Sequence, residues 1–186
     1  MNKDISRNLQ SVTTPEDGQW LAFQFSLENK PSSLRDSVYK AVIPHWFDYT
    51  FLNAILDCPL NETDFKTLTE LPFVEVFPGR GYNIHKLIRN LILEKIWLKD
   101  KNQYRKYSLK AAKYCSHQNQ LDPAWKSENL YHSLIAGNKD AVKNFSSQAL
   151  NWYNAPNFAY DKLEMLNRPV LDAVKFGLFQ GVAAAW

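Results

Sequence analysis

The apolar positions of this chain change period twice between Leu71 and Trp97, and that stretch, LPFVEVFPGRGYNIHKLIRNLILEKIW, orders the elements on either side of it. Phe73-Val74-Glu75-Val76-Phe77 is rich in β-formers, Pro78-Gly79-Arg80-Gly81 supplies two glycines able to take positive φ, and Tyr82-Asn83-Ile84 resumes an extended pattern. From His85 the spacing turns helical. Leu87, Ile88, Leu91, Ile92 and Ile96 fall on one stripe of a 3.6-residue period, which predicts a helix running to about Leu98. A tight two-stranded ribbon leaning on helices is a wing.

Upstream, the pattern predicts short helices separated by prolines. Residues 1–17 read as a polar lead-in. Trp20 to Leu27 fits two periods, a strand alternation of Leu21, Phe23, Phe25 and Leu27 or a helical stripe of Trp20, Phe23 and Leu27; Asp17, placed to cap it, favours the helix. Pro31 and two serines open a second helix with Leu34, Val38, Ala41 and Val42 on one face, and Pro44 stops it. Asp48 caps a third carrying Phe51, Leu52, Ile55 and Leu56; it ends before Pro59 because a residue preceding proline avoids the α conformation. Asn61 begins a fourth with Asp64 in its first turn and Phe65, Leu68 and Leu71 facing inward. Helices followed by a wing are the order of a winged helix-turn-helix, here over residues 18–98.

Downstream the chain reads as helical hairpins over residues 99–186. Lys99-Asp100-Lys101-Asn102 makes a turn, and Tyr104, Tyr107, Ala111 and Tyr114 form an apolar stripe. After the loop HQNQLDP, Ser127 or Glu128 opens a helix with Leu130, Tyr131, Leu134 and Ile135; Gly137 suits a left-handed C-terminal position and Asn138 caps a helix carrying Ala141, Val142 and Phe145. Further apolar positions from Leu163 to Leu178 close the chain as one or two more helices. The fold class predicted is mostly α, with β structure only in the wing: a winged helix-turn-helix followed by TPR-like or α-solenoid hairpins. The ending FQGVAAAW has no polar cap, which points to further repeats or a partner surface beyond Trp186.

Composition narrows the function classes. Hydrophobic residues make up 45% of the 186 and aromatics 14%, enough apolar area for a packed core, while six glycines suit a helical protein. Cys58 and Cys115, with no metal-ligand spacing around either, read as reduced thiols packed within apolar helical stripes. No apolar run approaches the ~20 residues that span a bilayer, and the N-terminus lacks an apolar signal segment, so a cytoplasmic location is expected. Net charge is +3 but unevenly spread: residues 1–84 carry 7 basic and 11 acidic groups, residues 85–113 carry 9 and 2, and residues 114–186 carry 6 of each.

Chemistry-bearing motifs are absent from the sequence. His45, His85, His117 and His132 are scattered with no two spaced for one helical face, no nucleophile elbow occurs, and Glu62 and Asp64 are explained as helix-start acids. No catalytic, cofactor-binding or metal-ligating residue is assigned, and the protein is expected not to be an enzyme. For a DNA reader, the third helix of the winged unit should carry basic or amide side chains, yet NETDFKTLTEL holds Glu62, Asp64 and Glu70 against Lys66. The wing adds only Arg80. The positive charge lies instead in Lys99, Lys101, Arg105, Lys106, Lys110 and Lys113, with Tyr104 and Tyr107 interleaved. Such a run suits nucleic acid or an acidic partner. A solvated helical face with its tyrosines in the core is the simpler account, since both fall on the apolar stripe.

At YNIHKLIRNLIL, YRKYSLKAAKYC and ENLYHSLIAGNKDAV the sequence resembles the regulatory half of STAND-type signalling ATPases, large bacterial ATP-binding regulators in which a winged helix ends at a strand carrying a histidine, here His85, and a helical-repeat sensor follows. WLAFQFSLENKPSSLRDSVYKAVIPHWFDYTFLNAIL is similar to the helices leading into that winged helix, and the resemblance covers roughly residues 18–150. The nucleotide-binding module is missing, for there is no GxxxxGK[ST] loop. The resemblance implies a winged-helix joint at Arg80, His85 and Arg89, in a family where the histidine before the helix can approach nucleotide. Here His85 is expected to pack at the strand–helix joint with its imidazole satisfied. It further implies a non-catalytic regulatory or protein-interaction module of a signalling or transcription-linked system, without a cofactor. The expected partner is a protein, an ATPase module or further helical repeats; nucleic acid is disfavoured and a membrane is not expected. The alternative is a winged-helix DNA-binding transcriptional regulator.

Overall fold

The computed structural model describes residues 14–138 and 140, which form seven α-helices and one two-stranded antiparallel sheet. The predicted helices carrying Ala141 to Leu178 lie outside the described residues. The chain divides into two units between Ile96 and Trp97.

In the first unit, α1 spans Pro15–Leu27 and is capped by Thr14, whose hydroxyl accepts the Asp17 N–H at 3.2 Å. Asp17 was expected to be the cap. Pro15 takes the first helical position, where its missing N–H costs nothing and its fixed φ is already helical, so the helix starts earlier than the apolar stripe alone indicates. Asp17 instead lies in the first turn, where Lys95 reaches it at 3.3 Å. Helix α2, Ser32–Ala41, buries Leu34, Val38 and Ala41, with Val42 following. Helix α3, Tyr49–Ile55, is capped by Asp48, which accepts the Phe51 N–H at 2.7 Å, and α4, Glu62–Thr69, is capped by Asn61 in the same way.

Strands β1, Val74–Phe77, and β2, Gly81–Ile84, pair with Val74 opposite Ile84 and Phe77 opposite Gly81. On its other edge β2 gains one bridge: Phe47 and Tyr82 exchange N–H···O bonds of 2.7 and 2.8 Å. That approach needs a glycine at 81, which holds φ +104 and where a Cβ would stand 2.6 Å from the Phe47 carbonyl oxygen. Two apolar side chains of β1 are exposed, Val76 at 74% and Phe77 at 40%.

Phe23, Val38, Phe47, Phe51, Leu52, Ile55, Leu68 and Ile92 form the centre of this unit, and rings knit it further: Phe23 meets Phe73 at 5.1 Å and Phe65 meets Tyr82 at 5.9 Å between centroids. Each such side chain contributes about 1.5–3 kcal/mol by leaving water. Helix α5, Lys86–Ile92, runs into a π turn over Leu93–Trp97 instead of staying α-helical to Leu98. A π turn rotates the following side chains, and the buried positions become Leu91, Ile92, Leu93 and Trp97. Leu87, expected on the inner stripe, is 41% exposed.

In the second unit, α6 spans Lys101–Ser116 and α7 spans Pro123–Ile135. They run antiparallel, since Tyr104 early in α6 bonds Tyr131 late in α7 (Oη to Oη 2.7 Å) while Tyr114 stacks near Trp125, 5.8 Å between centroids. Helix α7 opens four residues before the predicted Ser127, because Asp122 caps it with Pro123 at the first position and accepts the Ala124 N–H at 2.9 Å. It ends as expected on Gly137, φ +79, with Gly137 N–H on the Leu134 carbonyl and Asn138 N–H on that of Ser133. Both cysteines are free, but only Cys115 is buried; Cys58 lies past the end of α3 and is exposed, not packed in a stripe. No described helix is long and apolar enough to cross a membrane.

Candidate functional site

The α6 sequence KNQYRKYSLKAAKYCS contains no glycine, proline or acidic residue. Good helix formers fill its outer positions, and Asp100 starts it by accepting the Gln103 N–H at 3.1 Å. The helical period then sorts the residues. Tyr104, Tyr107, Ser108, Ala111, Ala112 and Cys115 turn inward, while Lys101, Arg105, Lys106, Leu109 and Lys113 face solvent and Lys110 is half-buried. Lys99, in the turn before, is exposed too. From Lys101 to Lys113 this face is about 18 Å long at 1.5 Å per residue.

Its electrostatics are one-sided. Lys106 and Lys110 place their ammonium groups 5.2 and 5.5 Å from the centroid of the Tyr107 ring. Lys99, Lys101, Arg105 and Lys113 make no ion pair with any described residue. Lys113, in the last turn, suits the negative end of the helix dipole; Lys101, in the first turn, opposes the positive end.

The three residues expected at a winged-helix joint serve separate contacts. Arg89 is buried, donating from Nε to the Val42 carbonyl at 2.9 Å and from Nη2 to the Ile43 carbonyl at 3.3 Å. A cation at this point satisfies carbonyls that the end of α2 leaves open and favours its negative dipole end. Arg80 lies 5.2 Å from the centroid of the Trp46 ring. His85 was expected to pack with a satisfied imidazole, yet its side chain is 51% exposed and its Nε2 stands 3.9 Å from Glu75. Its backbone N–H, donating to Phe73 at 2.8 Å, is what closes the strand–helix joint.

Helix α4 presents Glu62, Lys66 and Glu70 to solvent, with Lys66 4.0 Å from Glu70. Asp64 is held by Asn61, so its charge sits at the helix start. The surface is acidic, as the sequence indicated.

Sequence reasoning missed the buried polar groups. Lys40 lies beneath Asp36 and Asp57, and Glu128 and His132 form an inward pair on α7 with Nε2 to Oε1 at 3.1 Å. The i, i+4 spacing of Glu128 and His132 beside Tyr131 was a readable signal for that pair. Burial pushes the Cys115 thiol up, and the Glu128 charge adds to it, so Cys115 stays protonated and is a poor nucleophile. Among the described residues no group of three or more His, Cys, Asp or Glu side chains converges to hold a metal ion.

No family model matches the chain, and no solved structure matches it. Among curated proteins, the nuclear migration protein NUM1 of Saccharomyces cerevisiae is 23% identical over 203 residues, a stretch that covers 94% of this chain. The chain spans about 7% of the length of that relative.

Proposed function

We propose that the chain is a winged-helix module followed by a helical-hairpin arm, and that it acts as a non-catalytic regulatory or protein-interaction module of a STAND-type signalling or transcription-linked system. The observation that carries this is the order α2, the Phe47 bridge, α3, α4, β1, β2, with β2 lying between β1 and Phe47. That is the succession of a helix, a minimal first strand, two helices and a two-stranded wing. The histidine-bearing stretch YNIHKLIRNLIL, with its resemblance to the STAND-type regulators, adjoins that wing. The α6–α7 hairpin supports a repeat-like arm.

DNA reading by α4 is the alternative, and its exposed acids work against it, because a duplex must be met by cations that release its counterions. Electrophoretic mobility of a labelled duplex across a salt series tests the choice. The expected result is weak retardation that vanishes by about 0.15 M salt. Tight binding with a steep salt slope would replace the interaction module with a DNA-binding regulator, and its loss on neutralising Lys106 and Lys110 would put the contact on α6 instead of α4.

A further inference from the structure

We infer that the outer face of α6, with Lys101, Arg105, Lys106 and Lys113 set around Leu109, binds an acidic protein segment that carries an apolar side chain. This rests on the reading of the chain as an interaction module and names the chemistry of its partner.

Three observations carry it. First, the cations are not there for the helix. Lys101 opposes the dipole in the first turn of α6, where acids are favoured, and neither Lys101 nor Arg105 pairs with a described residue. Second, the centre of the face is apolar. Leu109 is 59% exposed, and Arg105, Lys106 and Lys113 are its neighbours at i−4, i−3 and i+4, so a leucine stands between cations one turn before it and one turn after. Third, the aromatics that would favour nucleic acid point the other way. Tyr104 and Tyr107 are 0% and 6% exposed, leaving no ring face on which a base could stack. A phosphate backbone would use the cations but leave Leu109 wet. An acidic segment with an apolar residue uses both, its carboxylates meeting the lysines and the arginine fork while its apolar side chain covers Leu109.

The test is fluorescence anisotropy on the full chain with three labelled probes: a 15-residue peptide of glutamates with one leucine per helical turn, the same peptide with serine for leucine, and a 20-base-pair DNA duplex. The leucine peptide is expected to bind more tightly than the other two, with affinity falling as salt rises from about 0.05 to 0.15 M. Lys101→Glu with Arg105→Glu should weaken it roughly tenfold, since two attractions become repulsions. Leu109→Ser should weaken it about threefold and remove the preference for the leucine peptide. Lys101→Glu puts an acid where the helix dipole favours it, so helicity by circular dichroism should hold or rise as binding falls; Arg105→Gln, which leaves the charge balance closer to native, should give a smaller loss of the same sign. Peptide binding that is absent, or unchanged by these variants, would overturn the inference and leave the interaction-module reading standing. A duplex that binds as tightly as the leucine peptide would overturn both.

Discussion

Arg89 reaches across 47 residues of sequence to bond the Val42 carbonyl, whereas Glu128 and His132 meet one turn apart on α7. The unit ending at Ile96 uses a buried cation to tie the end of α2 to α5. Among the described residues from Trp97 onward, Glu128 and His132 pair within one helix, and Tyr104 and Tyr131 pair across one hairpin. Arg89 thus gives the first unit a long-range polar tie, whereas the polar pairs described in the second span one turn or one hairpin. Their surfaces differ as well: α4 is acidic and α6 wholly without acids.

The two thiols offer the largest contrast. In native protein at pH 8, iodoacetamide should label exposed Cys58 at the rate of a free thiol. Labelling of Cys115, which is buried and held protonated, should be slower by about a thousandfold or more because it must wait for α6 and α7 to open. Equal rates, read by mass spectrometry, would mean that the hairpin opens readily.

Next in size is Arg89→Met, expected to cost about 3 kcal/mol in urea unfolding because the carbonyls of Val42 and Ile43 lose a charged donor. Arg89→Lys should recover less than half, a single ammonium being unable to reproduce the planar fork. If the Met variant were as stable as wild type, the long-range tie would be incidental. Gly81→Val should cost about 2 kcal/mol, since it forces a side chain onto a left-handed backbone against the Phe47 carbonyl. Loss of slow exchange at the Phe47 and Tyr82 amides would report it directly.

Smaller effects belong to the local pairs. Tyr131→Phe removes the bond to Tyr104 and should cost about 1 kcal/mol; a loss as large as that of Arg89→Met would erase the distinction between the units. Smallest of all, Lys66→Ala should change stability by less than about 0.5 kcal/mol, the Lys66–Glu70 pair being wet and 4.0 Å apart.

The ribbon, the caps at Asp48 and Asn61 and the left-handed Gly137 were readable because each is a local rule written in neighbouring residues. The caps at Thr14 and Asp122 are equally local, but the sequence reading placed Pro15 in the lead-in and Pro123 in the loop HQNQLDP, whereas proline at a first helical position is a start. Other features have no local signature. The π turn at Leu93 carries no motif in LEKIW, the Phe47 bridge is one residue and has no period, and the bonds of Arg89 reach carbonyls 47 and 46 residues away. The basic run of α6 was legible as charge, and the burial of Tyr104 and Tyr107 as an apolar stripe. The exposure of Leu109 among those cations comes only from the structure, and it is what distinguishes the two kinds of partner.

The reach of Arg89 also has a meaning in time. At about 5–20 residues per second, synthesis delivers this arginine roughly 2–9 s after Val42. Through that interval the last carbonyls of α2 must be served by water, and the nascent helices before Leu60 cannot bury them without penalty. A ribosome-bound chain halted before Arg89 has emerged from the exit tunnel should thus be open to proteolysis, and one halted after it has emerged should be more resistant.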